Sequence, residues 1–353
     1  MKDDRERIPF GHPVPGTKDV PPEFPILDIS KRINRERHYT PFIVLQSQNQ
    51  AFPLWLSPNL WLTDAFGNVV ISPVEGEPYN VWALVSNFGM AGAVVNVKFW
   101  WADPSVAITE AAATEIGTAT AFVDGSISLL GNAKPVRCTT TWTPAFLNQG
   151  HECLMAKAWA PGFDPSSGQP GFPEPPFDIY DRHSAQRNLG VLKAAPGTQA
   201  KWNITVANIS RMALPALVEV RTLAFEEMAK GLRALFHGTR LEVVKGENNL
   251  ELGFTLQERG TFRYIADRTF THMLSRADRV ALATERKEEP RGRVIFRQVL
   301  EMKPFEHRML VVEGRIPTGA KPGQMFGFDI RQQLEDVETG GYTIYVLATE
   351  GRG

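Results

Sequence analysis

Cysteine is nearly missing from this chain: Cys138 and Cys153 are the two in 353 residues. That is too few to staple a domain through a disulfide framework. They read as small buried hydrophobes, with a disulfide or metal or redox chemistry as the alternatives. His151 and Cys153 share one strand face, but no second close His/Cys pair completes a tetrahedral site, so no metal is expected. A dominant charge is missing as well. The 38 basic residues stand against 39 acidic ones, for a net charge of −1, which leaves no broad field to attract nucleic acid or an anionic membrane. No run approaches the roughly 20 apolar residues that a membrane helix requires. The charged opening MKDDRERIPFGHPVPG has no apolar segment behind it and does not read as a secretory signal. The expectation is a soluble protein, cytoplasmic or exported by a route that leaves no such signal.

Catalytic signatures are also lacking. There is no Gly-x-Ser-x-Gly elbow, no Gly-rich phosphate loop between strand and helix, and no recognisable His setting for either cysteine. Asp164, Asp178 and Asp181 border a Pro/Gly-rich loop and could offer oxygen to calcium, yet their spacing matches no EF-hand. Turn capping explains them. Arg182, His183, Gln186, Arg187 and Asn188 form a polar cluster suited to satisfying backbone groups at the exit of that loop. The expectation is a protein without catalytic residues, cofactor or enzymatic activity, with an enzyme whose site goes unrecognised as the third reading behind the structural and the binding module.

What is present is a β-rich text with one phrase written twice. Val81–Phe99 (VWALVSNFGMAGAVVNVKF) and Trp202–Val220 (WNITVANISRMALPALVEV) each run through alternating apolar residues to Val-x-Asn, a small turn, and a second alternating run. Strict alternation marks half-buried strands. Two copies predict two tandem immunoglobulin-like β-sandwiches, residues 51–194 and 195–353, a mainly β fold. The second carries a short helical insertion near 223–237, where Phe225, Met228, Leu232 and Leu235 recur at helical spacing. Residues 1–50 form an extended leader. Pro9, Pro13, Pro15, Pro21, Pro22 and Pro25 exclude a regular helix or central strand. Phe10, Phe24, Ile26 and Leu27 are too apolar for a solvated tail, so the leader docks on its own domain or on a neighbouring subunit.

Seven of the eight tryptophans fall in the first domain. Neighbours on a strand face opposite ways, so Trp100 and Trp101 cannot both enter one core. The outward one packs under the leader, anchors a protein contact, or stacks on a sugar. With Phe10, Phe24, Ile26 and Leu27 these two tryptophans make up the candidate interface.

The first domain resembles the bacterial adhesion-related immunoglobulin-like family known as CARDB. The matching phrases are Ser57-Pro58-Asn59-Leu60-Trp61, Val85-Ser86-Asn87-Phe88-Gly89, Val97-Lys98-Phe99-Trp100-Trp101-Ala102, His151-Glu152-Cys153-Leu154-Met155-Ala156 and Asp181 through Asn188. The second domain is similar to a companion sandwich through Gly340-Gly341-Tyr342-Thr343-Ile344. The resemblance implies an accessory, adhesive or scaffolding module with no catalytic residue to carry over. It points to a protein partner or self-association, and to carbohydrate as the other ligand class.

Overall fold

The computed structural model describes residues 5–7, 40–45, 55–70, 73–103, 110, 113–126, 131–145, 152–161, 177, 182–188, 191–208, 212–235, 242–246, 248–256, 263–265, 292–334 and 337–350. The chain is mainly β, with one helix among those residues. In the leader, β1 (Arg5–Arg7) is followed by β2 (Ile43–Val44). The first unit continues through β3 (Leu60–Thr63), β4 (Val69–Val70), β5 (Asn80–Asn87), β6 (Ala93–Ala102), β7 (Thr114–Val123), β8 (Asn132–Arg137), β9 (Cys153–Trp159) and β10 (Ser184–Asn188). The second unit holds β11 (Val191–Ala194), β12 (Gln199–Ala207), β13 (Leu214–Thr222), helix α1 (Phe225–Leu235), β14 (Glu242–Val244), β15 (Glu251–Leu256) and β16 (Arg263–Ile265). It closes with β17 (Val294–Met302), β18 (His307–Arg315), β19 (Met325–Leu334) and β20 (Val337–Ala348).

Each unit is a pair of sheets over its own apolar core. In the first, β5 with β2, β3 and β8 (β4 outside β3) faces the sheet β10-β9-β6-β7. In the second, β12-β18-β15-β16 faces β11-β20-β19-β13-β17. Alternation follows the sequence: β5 buries Val81, Ala83 and Val85 on one side and leaves Trp82 and Leu84 half-exposed on the other. The pairing scheme is common to both units. The strand before the repeated turn pairs with β8 or β18, and the strand after it pairs with β7 and β9 or with β17 and β19.

The repeated phrase is therefore an arch between the two layers and not a hairpin within one. Crossing between sheets forfeits ladder hydrogen bonds at the turn, and a buried asparagine replaces them. Asn87 donates to the carbonyls of Ala91 at 2.9 Å and Val123 at 3.3 Å, and its Oδ1 accepts the amides of Phe42 and Gly89. Asn208 donates to the carbonyls of Met212 at 2.8 Å, Met302 at 3.3 Å and Lys303 at 3.0 Å. Both side chains reach the carbonyl four residues ahead, and both residues are fully buried. Gly89 answers to close approach and not to a left-handed turn. A β-carbon there would collide with the Thr40 carbonyl and the Pro41–Phe42 backbone that passes over it.

Two boundaries differ from those drawn at 50/51 and 194/195. Ile43–Val44 pairs with Asn87 and Ser86, so the end of the leader already belongs to the first unit. Val191–Ala194 pairs in parallel with Tyr345–Ala348 and belongs to the second. Both strands are too short to carry a periodic signal. At the other end of the leader, Arg5–Arg7 pairs antiparallel with Glu242–Val244 of the same chain. Phe10, Phe24, Ile26 and Leu27 lie outside the described residues, as do Asp164, Asp178, Asp181 and His151.

Candidate functional site at the junction of the two units

Helix α1 forms where the sequence places it, because Phe225, Met228, Leu232 and Leu235 present one apolar stripe. Ala224 has no hydroxyl to cap the first turn. Glu227 reaches back instead, its Oε2 accepting the Ala224 amide at 2.9 Å. The stripe is not spent on either sandwich core. It joins Trp55 and Leu56 of the first unit with Val191, Met325 and Tyr345 of the second in a separate buried cluster. Gly231 and Gly327 permit this packing, since a β-carbon on either would press on the Tyr345 hydroxyl or the Met228 sulfur.

A line of buried and partly buried polar groups runs through the same junction. The indole N–H of Trp55 donates to Thr343 Oγ1 at 2.9 Å, and the Thr343 hydroxyl donates to Asp329 Oδ1 at 2.6 Å. Asp329 Oδ2 accepts Arg221 Nη2 at 2.8 Å and Nε at 3.2 Å. Arg221 Nη1 continues to Glu227 Oε1 at 3.0 Å, and Glu227 Oε2 also takes the Gly292 amide. The line thus links the first unit to the first turn of the helix. At the other end of the helix, Arg187 donates to the Leu235 carbonyl at 2.8 Å and to the Leu60 carbonyl. A cation at a helix C-terminus meets the negative end of its dipole. Next to it, the Cys153 thiol donates to Asn188 Oδ1 at 3.2 Å.

Burial shifts the ionisation of three groups here. It pushes the hydroxyls of Tyr342 and Tyr345 well above their ordinary value and drives the Arg187 guanidinium down to about 9. Each buried tyrosine keeps its proton in the folded chain while the unfolded chain releases it near 10. Stability therefore falls above pH 10. Arg187 acts in the opposite sense, since above about 9 the folded chain gives up a proton that the unfolded chain retains. The Cys138 thiol, pushed up by burial, sides with the two tyrosines, so the balance at high pH is a loss. The urea midpoint is expected to drop between pH 10 and 11, and Tyr345→Phe to flatten that drop. An equal drop in the Tyr345→Phe protein would refute the assignment.

The two adjacent tryptophans do face opposite ways. Trp101 turns, half-buried, to the core of the first unit. Trp100 turns outward yet is buried against Ala102, Met155, Ala113 and Phe177, so it is no surface anchor. Its cover is the chain around Ala113 and Phe177, pinned by Glu110, which accepts Lys157 Nζ at 2.6 Å and the Phe177 amide at 2.7 Å. Lys157 Nζ lies 5.2 Å from the Trp100 ring centroid and 5.7 Å from that of Trp159. A partly exposed aromatic pair lies elsewhere in the first unit. Trp61 and Trp82 face each other across β3 and β5, their centroids 6.0 Å apart and their planes 6° from parallel, with the Arg137 guanidinium 5.9 Å from Trp82. Alternation along each strand is the local signal that places both on the outer face.

Neither cysteine is in a disulfide, and both are buried. Cys138 sits in the first core, whereas Cys153 packs against the core of the second unit. Among the described residues no group of three or more His, Cys, Asp or Glu could hold a metal ion, and no helix is long and apolar enough to cross a membrane.

No family model matches the chain, and no curated protein matches it. Solved structures give distant likenesses. A family 123 glycoside hydrolase from Clostridium perfringens has 11% identity and a TM-score of 0.25 over 46% of this chain and 23% of its own. AvmM, which catalyses macrocyclization in alchivemycin A biosynthesis, has 13% identity and a TM-score of 0.26 over 46% of this chain and 87% of its own. A PapD-like domain of human CEP192 has 9% identity and a TM-score of 0.19 over 46% of this chain and 80% of its own. Likeness at that level assigns neither family nor activity.

Proposed function

We propose that the protein is a non-enzymatic structural or protein-interaction component, a tandem immunoglobulin-like scaffold of the CARDB kind, which associates with a protein partner or with copies of itself through its leader. The observation that carries this reading is the junction. Polar side chains that an active site would present to a substrate are used here to join two sandwiches, with Trp55, Asp329 and Arg187 buried between them. Fusing the units in this way suits a rigid spacer. The leader supplies the reach: its pairing at Arg5–Arg7 is three residues long, and the same pairing can be made by the leader of a neighbour, as in domain swapping. Mass photometry of the full-length protein beside a full-length variant with Phe10, Phe24, Ile26 and Leu27 all changed to Ser tests it. Oligomers that fall to monomers in the variant are expected; an unaltered protein that stays monomeric overturns self-association.

A second reading is an accessory module for carbohydrate, favoured by the half-exposed Trp61–Trp82–Arg137 ladder. Ring faces and a guanidinium can take the apolar face and an acidic group of a sugar. Glycan-array binding that disappears on Trp61→Ala supports it, and a blank array disposes of it.

A further inference from the structure

The outer face of the sheet built on β5 is set by alternation. Leu60 and Leu62 enter the core of the first unit, so Trp61 and Thr63 point outward. Register then places Trp61, Trp82 and Arg137 side by side on β3, β5 and β8. That row crosses three strands, about 10 Å at the usual strand spacing. The rings are held in place by the fold itself. Trp82 Nε1 donates to Thr63 Oγ1 at 3.0 Å, and Asn80 Nδ2 lies 3.5 Å from the same oxygen. Thr63 is 1% exposed although it points outward, so the Trp82 indole lies down across β3 and turns a face to solvent. Trp61, within 6° of parallel to it, continues the platform. The indole N–H of Trp61 has no acceptor among the described residues.

Charge on these strands has one sign. β2, β3, β4, β5 and β8 contain two charged residues, Lys134 and Arg137, and no acid. Lys134 turns away and donates to the Phe122 carbonyl of the other sheet at 3.0 Å. Arg137 is exposed, lies 5.9 Å from the Trp82 ring centroid, and has no ion-pair partner among the described residues. Asp64, which follows β3, is engaged in its own turn, where it accepts the amides of Phe66 and Asn68 and the Asn68 side chain. Glu75 and Glu77 lie in the connection ahead of β5. The row thus offers two ring faces, two donors without an acceptor and no carboxylate. Its complement is a ligand with flat apolar faces, many acceptors and negative charge.

We propose that this platform binds an acidic glycan, a linear chain containing uronic-acid units, with Arg137 as the residue that selects acidic over neutral sugars. The inference rests on the carbohydrate reading above and names its ligand class. Apolar faces of successive pyranose rings stack on Trp61 and Trp82, and Arg137 takes a carboxylate through two parallel N–H bonds. The Trp61 N–H is left for a ring hydroxyl. One pyranose ring is shorter than the row, so two or more units are needed to reach from Trp61 to Arg137. Nucleic acid also stacks on aromatic rings, but it calls for a basic groove along its phosphates. Here a single arginine stands at the site of a chain whose net charge is −1.

Isothermal titration calorimetry of the full-length protein tests the proposal, with oligogalacturonates, oligomannuronates, the methyl esters of both, and cello-oligosaccharides as probes. The free acids of at least one series are expected to bind about tenfold or more tightly than their esters, and to weaken as salt is added. Arg137→Gln is expected to lose that preference with its melting temperature nearly unchanged, because the side chain is exposed. Arg137→Lys is expected to restore part of it, since lysine keeps the charge without the fork. Trp61→Ala is expected to weaken acid and ester alike. Equal affinity for acid and ester, or an undiminished preference in Arg137→Gln, overturns the acidic ligand while the carbohydrate reading stands. Tighter binding of oligothymidylate or of a polyglutamate peptide overturns it in favour of nucleic acid or protein. Failure of every sugar probe to bind removes both readings.

Discussion

Asp329→Ala is expected to lower stability by about 3–5 kcal/mol, the range for deleting one partner of a buried ion pair. The argument turns on what remains. Asp329 is 1% exposed and receives Arg221 through two nitrogens and Thr343 through its hydroxyl. Without the carboxylate, Arg221 keeps only Glu227 of the two acids bonded to it, and Thr343 keeps its bond from Trp55 but loses its acceptor. An orphaned buried charge costs far more than a surface pair would, and the paired carboxylate is the reason Arg221 can sit there at all. Urea denaturation read by tryptophan fluorescence measures the loss. The combined Asp329→Leu, Arg221→Met protein is expected to be more stable than Asp329→Ala, because the Arg221 charge leaves with its partner, while Arg331, 3.5 Å from the same carboxylate, keeps Glu338 and Glu227 keeps the Ala224 and Gly292 amides. A double variant no better than the single one would show that shape, and not charge, holds this part of the junction.

The repeated phrase, the alternation of its strands and the helical stripe were all legible, because each is a local pattern set by the geometry of one element. The helix expected near 223–237 spans Phe225–Leu235. The arch was not legible as an arch. Whether two strands joined by a turn share a sheet depends on where their other neighbours lie, and a period of two is the same either way. The asparagine at its apex was visible as a repeated letter; its role in closing the turn required the partner carbonyls of Val123 and Met302, far along the chain.

The junction was less legible still. Trp55 and Thr343 are 288 positions apart, and Arg221 and Asp329 are 108. Two local signs did exist. Asp329 interrupts an otherwise apolar run, Met325–Ile330, where a lone carboxylate demands a partner. The Gly340-Gly341 pair sits inside a strand, which marks a place where something approaches the backbone closely. Arg187 was read as a group that satisfies backbone, and it does donate to two carbonyls, but one of them belongs to the helix of the other unit. Only the fold could supply that.

Trp55→Ala is expected to cost about 3–5 kcal/mol, as for a large aromatic removed from a packed interior. The indole is 1% exposed, lies against Gly341, has the Arg331 guanidinium 5.7 Å from its ring, and ends the polar line at Thr343. Its loss opens a cavity between the units and strips the Thr343 hydroxyl of its donor. Gly341 provides the complementary test. Its backbone is not left-handed, so space alone decides the effect of a substitution, and a β-carbon there would collide with the Trp55 ring. Gly341→Val is therefore expected to be destabilising by itself. Combined with Trp55→Ala it should cost less than the two single changes added together, by about 1 kcal/mol or more, because the valine enters space that the indole has left. Strict additivity would mean that the two residues do not meet in solution and that the sandwiches are not joined at this point. A positive coupling would place the first unit against the second through this glycine, in the arrangement that the scaffold reading requires.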